Sequence, residues 1–142
     1  LKESVAPLTV LLVEDNLINR KVALSILKKS GHRVSTANDG AEALNLLEQQ
    51  HFDAILMDMQ MPVLDGLATT RLIREKEAGS TAHIPIIAMT ANAMQGDRET
   101  CLAAGMDDYL AKPIKAPELR EKLEAIAAKL EASQSASDNS QD

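Results

Sequence analysis

The chain has 142 residues, a length that suits one domain able to bury its own core, and 45% of them are hydrophobic while only 1% are aromatic. The core is therefore aliphatic, which argues against nucleic-acid readers that stack bases on aromatic rings. With 15 basic against 21 acidic residues the net charge is −6, so binding to a phosphate backbone by bulk electrostatics is excluded.

A single cysteine, Cys101, rules out an internal disulfide and fits a reducing, cytoplasmic setting. No apolar run approaches the ~20 residues of a membrane span, and no signal-peptide pattern opens the sequence, so no membrane contact is expected of this segment. Leu at position 1 suggests a piece of a longer chain.

Residues 1–7 read as an incoming linker. Leu8 to Val13 (LTVLLV) is a short, almost purely apolar run, as suits a strand buried on both faces of a parallel sheet. Leu17 to Ser30 has helical spacing, with Val22, Ala23, Ile26 and Leu27 on one face. A weaker strand is expected over Arg33 to Ala37. A helix follows over Ala41 to Gln49, with Ala43, Leu44 and Leu47 inward. Ala54 to Met57 (AILM) and Pro85 to Met89 (PIIAM) are two further buried strands. Asp65 reads as a helix N-cap and Gly66 as part of a tight loop. A helix around Met94 to Ala104 begins polar and contains Gly96, a weak helix that suits a movable surface. Asp108 to Ala111 is the last strand. The last helix opens near Pro117 and carries Leu119, Leu123, Ile126 and Leu130 on one face. Gly31, Gly79 and Gly105 each close a helical stretch. Residues 131–142 hold nothing aliphatic larger than Ala and read as a disordered tail or linker.

The order is βαβαβαβαβα. Strict alternation implies an α/β fold, a (βα)5 doubly wound five-stranded parallel sheet with helices on both faces, spanning residues 8–130. Ligands of such sheets lie beyond the carboxyl ends of the strands. Those ends carry Glu14 and Asp15 after the first strand, Asp58 after the third, Thr90 after the fourth and Lys112 after the fifth. In the order 2-1-3-4-5, the first and third strands are neighbours, which sets Asp15 beside Asp58. Two unit charges ~5 Å apart repel by roughly 3 kcal/mol at an effective dielectric of ~20. Either a carboxyl pKa rises or a cation binds. An all-oxygen cluster suits a hard divalent ion, Mg²⁺ first. Lys112 and Thr90 add a positive charge and a hydroxyl donor suited to phosphoryl oxygens. A carboxylate can itself accept the phosphoryl group.

In VLLVEDN (10–16), ILMDMQMPVLDG (55–66), PIIAMTANA (85–93) and AAGMDDYLAKPI (103–114) the chain resembles the receiver domain of two-component response regulators. The wording DMQMP, MTANA and GMDDYLAKP is closest to receivers of hybrid histidine kinases and phosphorelays. The resemblance implies that Asp58 is the phosphoacceptor. It also implies that Glu14, Asp15, Asp58 and the backbone carbonyl of Gln60 bind Mg²⁺. Lys112 would bridge to the phosphoryl group, with a cis Lys112–Pro113 peptide. Thr90 and Tyr109 would be the switch pair, and Gln60 and Asn92 would tune the phosphoryl lifetime. The implied partner is a histidine kinase or a histidine-phosphotransfer domain, with no nucleic acid. The chain itself would be monomeric or part of a larger one, and not a turnover enzyme by itself.

Competing readings use similar parts. A Mg²⁺-dependent phosphohydrolase of the haloacid-dehalogenase type has its nucleophile after the first strand in a D-x-D pattern, whereas here that position reads Glu14-Asp15-Asn16. A flavodoxin-like cofactor binder would have a phosphate loop without carboxylates. Tyr109, three residues before Lys112, is expected on the Lys112 face of the sheet. Cys101 reads as inert core, and His32, His51 and His83 as residues with no catalytic or metal role. A donor's histidine needs an apolar landing next to Asp58. Leu17 or Ile18 is the candidate, one of the two being core, with Met61 and Ile114 as neighbours.

Overall fold

The computed structural model describes residues 7–59, 65–79, 83–90 and 95–140, with the side chains of 95–98 and 131–140 left undescribed. Its elements run β1 Thr9–Val13, α1 Leu17–Lys29, β2 Arg33–Ala37, α2 Gly40–Gln49, β3 Ala54–Asp58, α3 Gly66–Glu77, β4 Ile86–Thr90, α4 Gln95–Ala104, β5 Asp108–Ala111 and α5 Ala116–Ser140. All four strand pairings are parallel, in the order β2-β1-β3-β4-β5. The central β3 and β4 are buried along their whole length, which is why their sequences are apolar without alternation.

The two faces of the sheet make two cores. Val10, Leu12, Leu56, Ile87, Met89 and Leu110 pack with Ala23 and Leu27 of α1 and Leu119 and Leu123 of α5. Leu11, Val13, Ile55, Met57, Ile86 and Ala88 pack with Ala43 of α2, Ile73 of α3 and Cys101 of α4. Alternate strand residues thus serve opposite helical layers. Cys101 is fully buried, as expected of a core residue.

Local signals set the helix ends. Asn16, Asp39 and Asp65 each cap a helix, accepting from Asn19 N–H at 3.0 Å, Glu42 N–H at 2.9 Å and Ala68 N–H at 2.8 Å. Gly31, Gly79 and Gly105, expected to close helices, all have positive φ, between 88 and 109°. Gly66 is required for another reason: a Cβ there would run into the Asp58 carbonyl oxygen and stand 3.1 Å from Met57 Cγ. The start of α3 is therefore pressed against the end of β3.

One expectation needs amending. Val22 was assigned to the inner face of α1 and is 40% exposed. It lies about 100° round the helix from Ala23, too far to reach the sheet. The backbone of α5 continues helical to Ser140, through residues that the sequence reads as a disordered tail or linker. Residues 131–140 contain no Gly or Pro, so nothing in them breaks the helix.

At the edge of the sheet where β4 begins, one arginine ties three segments together. Arg74 donates from Nε to the Gly105 carbonyl at 2.9 Å and from Nη1 to the Ile84 carbonyl at 2.9 Å. It also donates to Glu77 Oε1 and Asp107 Oδ2, both at 2.8 Å. The two carboxylates in turn accept the backbone N–H groups of Ile84 and Ile86, each at 2.8 Å. His83 Nε2 lies 2.8 Å from Asp107 Oδ1, and His32 Nδ1 accepts the Leu8 N–H at 3.0 Å.

Candidate functional site

The parallel register carries the polar strand ends to one edge. Val13 pairs with Met57, so Glu14 and Asp58 stand level one residue further on. Asp58 pairs with Met89, and Thr90 with Ala111, which sets Lys112 next in line. The Lys112 N–H donates to the Thr90 carbonyl at 2.8 Å. The Lys112–Pro113 peptide is cis, as the resemblance implies.

Glu14, Asp15 and Asp58 each bring an oxygen within 4.8 Å of the others. Glu14 and Asp58 are buried, and Asp15 is exposed. Lys112 Nζ donates to Asp58 Oδ1 at 2.8 Å and lies 3.3 Å from Glu14 Oε1. One cation thus sits between two buried carboxylates. The Glu14 Oε2 oxygen accepts the Asn16 N–H at 3.1 Å, whereas Oε1 is buried without a hydrogen bond of good geometry. Among the described residues, no side chain or backbone group hydrogen-bonds or ion-pairs with the Asp15 carboxylate.

The charges show in the acid–base behaviour. Burial pushes the Glu14 carboxyl above its ordinary range; the Asn16 N–H pulls it back, and the neighbouring Asp58 carboxylate pushes it further up. Burial alone would lower the Lys112 ammonium, but the Asp58 and Glu14 carboxylates outweigh it and the net change is upward. The rise expected for one crowded carboxyl falls on Glu14, the most enclosed of the three.

Three carboxylates face one ammonium, so the set holds two more acidic groups than basic ones. Its donors are all oxygen, one of them a buried oxygen met only by the Lys112 ammonium at 3.3 Å, and one carboxylate has no partner among the described residues. That is the donor set a hard divalent cation satisfies.

Thr90 is buried at the end of β4. Tyr109 is half-buried and packs against the layer of α2, α3 and α4. It pairs with Ala88 and therefore shares a face with Ala88 and Thr90, while Leu110 serves the other face. The expectation that Tyr109 lies on the Lys112 face is thus wrong. A spacing of three in a strand crosses from one face to the other. The ring therefore lies on the same face of the sheet as the Thr90 side chain. Lys122 Nζ stands 5.9 Å from the Tyr109 ring centroid and donates to Asp108 Oδ1 at 2.9 Å. Gln60, Met61 and Asn92 lie outside the described residues.

Two further findings concern α1. Leu17 and Ile18 are both exposed, at 59% and 73%, so neither is core. With Val22 they form an apolar surface directly after the acidic loop. Ile114 is half-buried against the core of α1 and α5. Arg20, which sequence reasoning passed over, reaches back from α1 to the Glu14 carbonyl, from Nε at 3.1 Å and from Nη2 at 2.8 Å. The one signal for it was position: an arginine within reach of the helix start and of the loop before it.

A family model for the response regulator receiver domain matches residues 10–124. This chain belongs to that family. The receiver is 48% identical over 113 residues to the hybrid signal transduction histidine kinase I of Dictyostelium discoideum, covering 76% of this chain and 6% of that protein. It is 50% identical over 120 residues to the two-component system protein A of Emericella nidulans, covering 82% of this chain and 17% of that protein. It therefore spans a small part of these relatives. Among solved structures it resembles the receiver domain of a sensor histidine kinase from Pseudomonas aeruginosa, with a magnesium ion coordinated in the active-site cleft. That likeness has 51% identity and a TM-score of 0.78, and covers 87% of this chain and 99% of that one. It also resembles the receiver domain of the response regulator Ssk1 of Saccharomyces cerevisiae, in complex with the histidine phosphotransfer protein Ypd1. There the identity is 35% and the TM-score 0.76, with 82% and 86% coverage. The receiver fold and its place in two-component signalling are thus as the sequence suggested. No helix among the described residues is long and apolar enough to cross a membrane.

Proposed function

We propose that this receiver accepts a phosphoryl group on Asp58 from a phosphohistidine of a partner protein, with Mg²⁺ held by Glu14, Asp15, Asp58 and the Gln60 carbonyl. The observation that carries the reading is Lys112 Nζ, set 2.8 Å from Asp58 Oδ1 and 3.3 Å from Glu14 Oε1 within the three-carboxylate cluster. Such an ion pair in a half-buried cleft holds the Asp58 side chain in place as a nucleophile.

In the transfer, an Asp58 oxygen forms the new O–P bond as the P–N bond of the donor imidazole breaks, and the imidazole leaves with the electron pair. Bound Mg²⁺ supplies positive charge against the phosphoryl oxygens. Lys112 exchanges part of its contact with Asp58 for a phosphoryl oxygen. Thr90, at the end of the neighbouring strand, turns its hydroxyl to another, and Tyr109 on the same face moves into the space released. The change at one residue then reaches the α4–β5 surface as a shift between two packings. The donor is a histidine kinase or a histidine-phosphotransfer domain, and the exposed surface of Leu17, Ile18 and Val22 is where it lands. The parent chain fits a hybrid kinase or phosphorelay component.

Incubation with phosphorylated histidine-phosphotransfer proteins and Mg²⁺ tests the reading. One acid-labile, hydroxylamine-sensitive phosphate per chain is expected, and none on Asp58→Asn. Normal yield on that variant would refute the site. Continuous turnover of a phosphomonoester would favour the phosphohydrolase instead.

A further inference from the structure

The Asp15 carboxylate has an unusual problem. It must stay within 4.8 Å of two other carboxylates, yet no described group grips its own oxygens. Its place is therefore set through the backbone on either side. The Glu14 N–H donates to the Ala37 carbonyl at 3.0 Å, and the Asn16 N–H donates to Glu14 Oε2 at 3.1 Å. Between them lies the Glu14–Asp15 peptide plane, whose oxygen is the Glu14 carbonyl. That oxygen accepts both hydrogen bonds from Arg20.

Arg20 is itself held. Nη2 also donates to Asn38 Oδ1. Asn38 is fixed by Glu42, its N–H donating to Oε1 at 2.9 Å and its Nδ2 to Oε2 at 3.3 Å. The guanidinium thus forks between the loop after β1 and the loop after β2. A rigid, planar set of donors keeps a carbonyl in one orientation better than a single ammonium can.

We propose that Arg20 is a positioning residue: by gripping the Glu14 carbonyl it orients the Glu14–Asp15 peptide and so holds the Asp15 carboxylate in the cluster that takes Mg²⁺. The inference rests on the reading of that cluster as a Mg²⁺ site. Without the grip, the peptide is free to turn and Asp15 swings away from Glu14 and Asp58 under their repulsion.

Simple electrostatics makes the opposite prediction, which makes the test sharp. Removing a positive charge beside a cation site should tighten the cation. Loss of positioning should weaken it, and groups that orient metal ligands are typically worth 10–100-fold in metal affinity. Mg²⁺ titration by calorimetry is to be run on the parent, Arg20→Met and Arg20→Lys. Arg20→Met keeps the stem and loses the donors. Arg20→Lys keeps the charge and loses the fork, and so isolates geometry should Arg20→Met fail to fold. About tenfold weaker binding is expected for Arg20→Met and a smaller loss for Arg20→Lys. Labelling from acetyl phosphate should fall at low Mg²⁺ and recover at saturating Mg²⁺. Variants that bind Mg²⁺ as tightly as the parent, or more tightly, overturn the role of Arg20. A parent that binds no Mg²⁺ overturns the site reading and this inference with it.

Discussion

Asp15→Asn separates repulsion from structure at the acidic edge. The Asp15 oxygen lies within 4.8 Å of oxygens on Glu14 and Asp58, and its side chain is exposed. At that separation each pair of unit charges repels by ~0.9 kcal/mol in water and ~3.5 kcal/mol at an effective dielectric of 20. Exposure puts Asp15 near the lower figure. Two such repulsions, partly cancelled by Lys112, leave a net relief of about 1 kcal/mol when the charge is removed. The metal-free variant is thus expected to be as stable as the metal-free parent or slightly more so. Added Mg²⁺ reverses the order. The parent gains about 2.7 kcal/mol at a hundred times its dissociation constant, whereas a variant binding tenfold more weakly gains about 1.4 kcal/mol at the same concentration. Thermal melts followed by far-ultraviolet circular dichroism, in EDTA and in a Mg²⁺ series, read both effects. For a chain this size 1 kcal/mol moves the midpoint by about 4 °C. A metal-free variant melting well below its parent would mean that Asp15 holds structure, and would refute the electrostatic account.

Gly66→Ala should destabilise by about 1–3 kcal/mol in urea denaturation and disturb phosphoryl uptake, because the added carbon meets the Asp58 carbonyl; a neutral result would show that the α3 start moves aside freely. Ile18→Asp should slow transfer from a phosphorylated protein donor at least tenfold while leaving acetyl phosphate labelling unchanged, since a charge placed in an apolar contact costs well over 1.4 kcal/mol. Equal slowing with both donors would make the patch structural. The third concerns His32, whose imidazole burial holds below its ordinary value of about 6.5 while its Nδ1 accepts the Leu8 N–H. Its lowered pKa means the unfolded chain binds the proton first, so this contribution to stability is full above pH ~6.5 and is lost as pH falls through the folded value. Denaturant midpoints between pH 8 and pH 5 should fall, and fall less in His32→Gln; identical profiles would clear His32 of any part in it.

Much of the fold was legible because buried parallel strands are apolar without alternation. LLV, AILM and IIAM are too short for buried helices, so between helical stretches of this spacing they read as strands. The site was legible for a related reason: once those runs are strands, Glu14, Asp58, Thr90 and Lys112 are simply what comes next, and the sheet delivers strand ends to one edge. Faces were harder. In α1, Leu17, Ile18, Val22, Ala23, Ile26 and Leu27 surround most of the helix, so spacing alone does not say which arc meets the sheet. Tyr109 was misplaced by counting three residues where the strand repeats in two. Arg20 and Arg74 were invisible for a different cause. Each works by reaching backbone carbonyls, and a carbonyl is present at every position, so no pattern of residue types marks the target.

The Arg74 clamp has a mechanical consequence. Its hydrogen bonds join the end of α3, the start of β4 and the turn before β5 at one edge of the sheet. Thr90 closes the same β4 strand four residues beyond Ile86, roughly 13 Å away. A strand held at one end and, in the proposed switch, pulled at the other would yield mainly at the pulled end. The Arg74 hydrogen bonds resist displacement at the pinned edge, while the hydroxyl end retains whatever travel its neighbours allow. In the proposed switch, motion started at the acidic cleft would be turned sideways toward α4 and β5 rather than dissipated along the strand, and amide exchange should be slowest at Ile86 and faster toward Thr90.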